Sequence, residues 1–197
     1  MEQAPDPTTW GRWATALSSD DAAAREARTG LAAAYWYPVY AFFRAGGEDG
    51  DGAASRTETV LSRLIDEPAG DAPLLREWML GLALAALADP TPRKPLLTID
   101  REWAGQRFAT EGTHSPTDTF VRRWTLDLLE QTVATLQAEY EAAGKSDVFA
   151  ALQPFLGYSG GGTEGGEPYT ELADTLGVND SAGRSMVFEL RRRYRER

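Results

Sequence analysis

The sequence predicts an all-α protein with two small helical domains joined by a linker and a helix-turn-helix at its C-terminal end. Apolar residues recur at intervals of three and four, which is the period of a helix that buries one side. Proline and glycine clusters interrupt these periodic stretches and mark their ends. The period disappears between Pro90 and Pro116. We therefore expect a first domain over residues 9–89, a linker over 90–119 and a second domain over 120–197.

Two helices are predicted at the start of the first domain. The first is short, Thr9–Leu17, and contains two tryptophans. The second begins at Asp20-Asp21, because carboxylates stabilise a helix N-terminus, and continues to Phe43. Pro38 lies within it, so we expect a kink there, since proline lacks the backbone donor and its ring crowds the preceding turn.

A loop and two further helices complete the predicted first domain. Glycines and acidic residues predict a loop from Ala45 to Gly52. The third helix spans Ala54–Asp66, and the fourth spans Leu74–Ala88. The fourth is so apolar that we expect it to be almost fully buried. In the linker that follows, apolar residues such as Trp103 are expected to dock on the protein.

Four helices are predicted in the second domain. A long helix begins at Thr117, carries one apolar stripe and stops at Gly144. A short helix, Lys145–Leu156, is followed by a glycine-rich loop. The last two helices are Pro168–Leu176 and Asp180 to about Arg195, separated by a turn that contains a glycine. Two short helices joined in this way form the helix-turn-helix pattern.

The charge of the chain is unevenly distributed. The formal net charge is −10, but residues 184–197 hold six arginines against two glutamates and carry +4. The other 183 residues therefore carry −14. A basic end on an acidic molecule suits contact with a polyanion, while the remainder suits basic or apolar protein partners.

The last helix has the division of residues that a DNA-recognition helix needs. We expect an inward side of Met186, Val187, Leu190 and Tyr194 and an outward side of Asp180, Ser181, Arg184, Ser185, Phe188 and Arg191. Arg184 is placed to donate two hydrogen bonds to a guanine, and the later arginines suit phosphates. Four phosphate contacts would give a log–log salt slope of about −3 to −4. An arginine-rich solvated surface is the alternative interpretation. The predicted DNA-binding residues are Thr170, Asn179, Ser181, Arg184, Ser185, Arg191, Arg192, Arg193 and Arg195.

Several segments resemble the extracytoplasmic-function sigma factors of bacteria, in particular the group abundant in planctomycetes. The segment TELADTLGVNDSAGRSMVFELRRRYRER resembles their C-terminal promoter-recognition domain, and Phe120–Leu156 resembles the first helices of that domain. Near the start, TTWGRWATAL and LAAAYWYPVYAFFRAGG resemble their N-terminal domain. The resemblance implies a cytoplasmic transcription-initiation protein whose partners are RNA polymerase core and promoter DNA. An anti-sigma or other regulatory protein is a further candidate partner.

The middle of the chain departs from this family. Ala54–Asp66 lacks the paired aromatic residues of the family's polymerase-binding helix. The next helix lacks the basic and aromatic residues that capture a melted promoter, and Trp78 is expected to be buried. In the last helix Gly183 replaces a branched apolar residue and Glu189 replaces a basic one. A sigma-derived regulator or adaptor that works through protein contacts, without promoter melting, is therefore the alternative function.

Enzymatic and metal-binding functions find no support in the sequence. The chain has no cysteine, which excludes disulfides and thiolate metal sites. Its single histidine, His114, lies in the predicted linker, so neither a histidine triad nor a zinc site is expected. The acidic loop near Asp49 lacks the ordered spacing of a calcium loop. We expect a non-enzymatic cytoplasmic protein without a cofactor, a bound metal or contact with a membrane.

Overall fold

Every regular element in the described part of the chain is helical, so the all-α class is confirmed. The computed structural model describes residues 19–68, 74–89, 91–112, 114–157 and 167–196. The predicted helix Thr9–Leu17 lies outside these residues. The described helices are α1 (Ala22–Ala45), α2 (Gly50–Asp66), α3 (Leu75–Ala88), α4 (Arg101–Phe108), α5 (Pro116–Ala142), α6 (Ser146–Leu152), α7 (Glu167–Leu176) and α8 (Asp180–Arg195), with a 3₁₀ helix at Gln153–Leu156.

The chain divides into two compact units, one ending at Leu128 and one beginning at Leu129. Each unit has its own apolar core. The first core contains fully buried residues from α1, α2, α3 and α5, including Phe42, Phe43, Leu61, Leu64, Met79 and Phe120. The second core is built from α5, α6, α7 and α8 and contains Leu136, Phe149, Leu152, Leu172, Val187 and Leu190.

This division differs from the linker predicted at 90–119. Helix α4 lies within that segment and is capped by the Asp100 side chain, which accepts the N–H of Trp103 at 2.9 Å. Ile99 and Ala104 are buried in the first core, and Phe108 packs against it. Eight residues are too few to show a sustained helical period, which is why α4 escapes detection in the sequence.

Helix α1 begins and bends as the sequence predicts. Asp21 is its N-cap, and the side chain accepts the N–H of Ala24 at 2.8 Å. Tyr35 has non-helical backbone angles (φ −123°, ψ 23°), three residues before Pro38. Proline crowds the turn that precedes it, so the break falls on the N-terminal side of Pro38. The predicted kink is confirmed.

Two details of the next helices differ from the predictions. The predicted loop to Gly52 is too long, because Asp49 caps α2 by accepting the N–H of Gly52 at 2.7 Å and makes residues 50–52 helical. Helix α3 is not almost fully buried, since Leu84 and Leu87 are 47% and 49% exposed. An apolar sequence predicts that a helix buries part of its surface, but it does not predict how much of that surface neighbouring helices cover.

Candidate nucleic-acid interface

Helices α7 and α8 are joined by a short turn whose hydrogen bonds fix where α8 begins. Gly177 has a φ of 65°, a left-handed conformation that glycine adopts without the steric cost of a side chain. The N–H of Val178 donates to a carbonyl in the last turn of α7 at 2.9 Å. The side-chain oxygen of Asn179 accepts the N–H of Ala182 at 2.8 Å and caps α8.

One side of α8 is packed into the core of the second unit. Gly183, Val187 and Leu190 are buried on this side, at spacings of four and three. Leu172 and Ala173 of α7 are buried as well, and α7 and α8 are in contact. Because this apolar side is fixed against α7, the opposite side of α8 faces solvent.

The exposed side of α8 begins with Ser181, Arg184, Ser185 and Phe188, which are spaced by three, one and three residues and therefore share one face. We call these four residues the outer face. All four are exposed. The hydroxyl of Ser185 donates to the backbone carbonyl of Ser181 at 2.8 Å, and the Arg184 guanidinium lies 4.5 Å from the centre of the Tyr169 ring. Arg184 thus leans on an aromatic ring while its charge stays without a carboxylate partner among the described residues.

Thr170 and Asn179 lie at the N-terminal end of α8, beside the outer face. The Thr170 hydroxyl donates to the Asp180 carboxylate at 3.4 Å, which connects the start of α7 to the start of α8. The side-chain oxygen of Asn179 is occupied by the cap. The predicted residues at this end are therefore close together, and two of them also stabilise the turn.

Arg192 is held between two carboxylates of its own helix. Its guanidinium lies 2.6 Å from the Glu189 carboxylate and 2.9 Å from the Glu196 carboxylate. The hydrogen bond from Arg192 lowers the pKa of Glu189, and the same contact raises the pKa of Arg192. Both groups stay charged at neutral pH and offset each other, which reduces the charge that Arg192 can present to a phosphate.

The remaining arginines of α8 are engaged to different degrees. Arg191 donates its Nε–H to the carbonyl of Phe155 at 2.6 Å, and Arg193 forms an ion pair with Glu139. Arg193 also lies 5.2 Å from the ring of Tyr140, so it ties α8 to α5 within the second unit. Arg195 is exposed and forms no ion pair with the residues that the structure describes. Of the predicted arginines, Arg184 and Arg195 present their charge most openly.

Phe188 is the residue of this surface that the sequence-based set omits. Its side chain is 64% exposed, more than any other large apolar residue described. The signal that finds it is spacing, because Phe188 lies one helical turn beyond Arg184 on the outer face. The same spacing places Phe188 on the outward side of the last helix from the sequence alone, but does not make it a predicted DNA contact.

Helix α3 of the first unit does not present an aromatic residue to solvent in the way that base stacking requires. Trp78 is only partly exposed and packs against the first core. Beyond α3, the Arg93 guanidinium pairs with Glu67 at 3.0 Å. Trp78 therefore packs against the core as expected, but it is half-buried rather than buried.

Neither a metal-binding group nor a membrane-spanning helix is found in the described part of the chain. No group of histidine, cysteine, aspartate and glutamate residues there has a metal-binding arrangement. His114 contacts Arg122, with 3.0 Å between Nε2 and the guanidinium nitrogen. No helix among the described residues is long and apolar enough to cross a membrane.

We compared the chain with models of known protein families, with curated proteins and with solved structures, and none of the three comparisons gave a match.

Proposed function

We propose that this chain is a sigma-factor-like transcription initiation protein that binds duplex DNA with α7 and α8 as a helix-turn-helix and recruits RNA polymerase core. The outer face of α8 carries the proposal. Its serines and arginine are exposed on the N-terminal half of a helix whose opposite side is packed. A helix presented in this way fits the major groove, where hydrogen-bonding side chains distinguish base pairs.

Each residue of the surface has a defined part in this proposal. Arg184 is the residue for a guanine, because a guanidinium donates two parallel hydrogen bonds to the N7 and O6 atoms. Ser181 and Ser185 supply shorter hydroxyl contacts to bases or phosphates. Arg195, at the far end of the same helix, supplies a phosphate contact that adds affinity without sequence preference. Thr170 and the Asn179 amide lie at the start of α8, where the DNA backbone would pass in this proposal.

A second candidate function is a regulator or adaptor that keeps the sigma scaffold and acts through protein contacts. The packing of Trp78 favours this second function, since a tryptophan packed against the core cannot stack on a melted base without leaving that core. Three of the arginines in α8 also have internal partners. Such a regulator would still bind a protein partner, but it would not open a promoter.

Transcription from purified components separates the two candidates. The full chain is mixed with core polymerase, tested for co-elution, and assayed for run-off transcription from the DNA upstream of its own gene. A sigma-like protein co-elutes and directs a transcript, and Arg184→Ala reduces that transcript while Arg122→Ala, an exposed arginine of α5, does not. Permanganate reacts with thymines in opened DNA. Co-elution that yields no transcript and no reactive thymines supports the adaptor. If the chain neither co-elutes with core polymerase nor binds duplex DNA, both candidates are overturned.

A further inference from the structure

Phe188 places an aromatic ring at the C-terminal end of the outer face, beside the polar groups of the proposed DNA contact. An exposed phenylalanine leaves apolar surface in water, and its 64% exposure is larger than that of any other large apolar residue described. The ring is not needed for the core, because the buried side of α8 is formed by Gly183, Val187 and Leu190. The ring is therefore available for a contact outside the fold.

The neighbours of Phe188 indicate what covers it. Arg184 lies one turn before it and Arg192 one turn after it, while Ser181 and Ser185 complete the same strip of α8. The strip is mainly cationic and hydroxylic, and the Glu189 and Glu196 carboxylates lie at its C-terminal end, where both are paired with Arg192. An apolar protein surface would leave the Arg184 guanidinium without a polar partner, whereas the edge of a DNA groove offers it bases and phosphates.

The DNA major groove offers one apolar group, the 5-methyl group of thymine. We propose that Phe188 is a specificity residue that contacts a thymine methyl group next to the base pair contacted by Arg184. This inference rests on the proposed DNA binding. Covering a methyl group with the ring removes apolar surface of both partners from water. The contact distinguishes thymine from cytosine, which lacks the methyl group and presents a donor at the neighbouring position.

Removing single methyl groups from the DNA tests this contact. The full chain first selects a duplex from a random pool, and each thymine of that duplex is then replaced in turn by uracil. Uracil keeps the base pair and every other groove atom and lacks only the methyl group. At one position we expect the wild-type affinity to fall about fourfold, which is what burying one methyl group contributes.

Substitutions at Phe188 assign the effect. Phe188→Ala should bind the thymine and uracil duplexes equally, and Phe188→Leu should keep part of the difference. The side chain is exposed, so both variants should keep the circular dichroism of the wild type. Equal methyl sensitivity in wild type and Phe188→Ala would overturn the thymine contact while leaving DNA binding in place. Self-association that Phe188→Ala abolishes would likewise assign the ring to a second copy and overturn it. If no duplex is selected, the proposed DNA binding fails, and the thymine contact fails with it.

Discussion

Gly183 lies on the buried side of α8, where a glycine has no conformational reason to be. It is the one buried glycine of the helix, and a β-carbon built there would lie 3.8 Å from Ala173 Cβ and from Leu172 Cδ2. That separation is ordinary van der Waals contact, so the site has room for one more methyl group. Glycine also costs about 1 kcal/mol relative to alanine inside a helix.

Gly183→Ala should therefore stabilise the second unit by about 0.5–1 kcal/mol, through backbone entropy and added contact. Amide hydrogen exchange at Val187 and Leu190, both buried in α8, measures the effect. Gly177→Ala is the matched control, because its φ of 65° disfavours any β-carbon and should cost about 1 kcal/mol. Faster exchange in Gly183→Ala would show that the contact between α7 and α8 is tighter than described.

The ion pairs of Arg192 set how much charge α8 can offer to DNA. Glu189→Gln removes the nearer of the two carboxylates and should increase duplex affinity, and because Glu196 still pairs with Arg192 the log–log salt slope should steepen by less than one. The contact with Arg192 lowers the pKa of Glu189, so the pair persists at neutral pH and is lost only when the pH falls through that lowered value. The affinity of the wild type should not change through Glu189 between about pH 7 and pH 5.

Glu171→Gln is the control for this change, because Glu171 is an exposed carboxylate of α7 and its removal alters the total charge equally. If both variants bind more tightly to the same extent, the effect comes from the overall charge. The pairing of Glu189 with Arg192 would then have no role in DNA binding.

At the scale of elements, the segment that precedes α5 is fixed to α1 by a buried polar cluster. The Arg123 guanidinium lies 2.7 Å from the Glu111 carboxylate, and the two side chains are 9% and 5% exposed. The Tyr37 hydroxyl donates to the same carboxylate at 3.3 Å. The cluster thus connects α1, α5 and the residues between α4 and α5 within the first unit.

Glu111→Gln should destabilise the first unit by about 3–5 kcal/mol, because the buried Arg123 guanidinium loses its only carboxylate partner among the described contacts. Urea unfolding followed by tryptophan fluorescence measures this unit, since all six tryptophans precede Leu129. Glu102→Gln in α4 is the control, because Glu102 is exposed and should be nearly neutral. Equal stability of the two variants would mean that the cluster is solvated rather than buried.

Tyr37 adds a pH dependence to the same unit. Burial raises the pKa of its hydroxyl above the ordinary value, and the Glu111 carboxylate adds to the shift. The unfolded chain then loses this proton at a lower pH than the folded chain, so the associated stability is present below about pH 10 and is lost as the pH rises toward the raised pKa. Tyr37→Phe should weaken the alkaline loss of stability, measured by tryptophan fluorescence at pH 9 to 11. An unchanged pH profile would contradict this assignment.

The sequence predicts these elements well where a local rule decides and poorly where the surroundings decide. Asp21, Pro38 and Gly177 act through backbone chemistry, and the helix start, the kink and the turn lie where that chemistry puts them. Exposure depends on what the fold places opposite a helix. This is why Leu84 is exposed although α3 is apolar, and why α4 forms within a predicted linker.

The candidate site shows the same division. Spacing alone places Ser181, Arg184 and Ser185 together on the exposed side of α8, and the structure has them there. The partners of Arg191 and Arg193 could not be predicted, because Phe155 and Glu139 are more than thirty residues away in the chain. Charge counted along the sequence therefore overstates the charge that the surface presents.

At the scale of the whole molecule, the uneven charge would make the proposed DNA contact local. Residues 184–197 carry six of the arginines, whereas the chain as a whole has a net charge of −10. Repulsion between the acidic remainder and a phosphate backbone is screened beyond about 8–10 Å at physiological salt. Contacts made directly by α8 can therefore determine affinity, provided that its arginines reach phosphates.

The salt dependence of duplex binding by the full chain is the most direct test of the claim that α8 docks on DNA. With Arg191 and Arg195 available for phosphates, Arg184 assigned to a base, and Arg192 and Arg193 paired with carboxylates, we expect a log–log slope of about −2, shallower than four free arginines would give. The double variant Arg191→Ala/Arg195→Ala should reduce the magnitude of the slope by about two, while Arg122→Ala leaves it unchanged. A slope near zero in the wild type, or an equal slope in the double variant, would contradict DNA binding by α8.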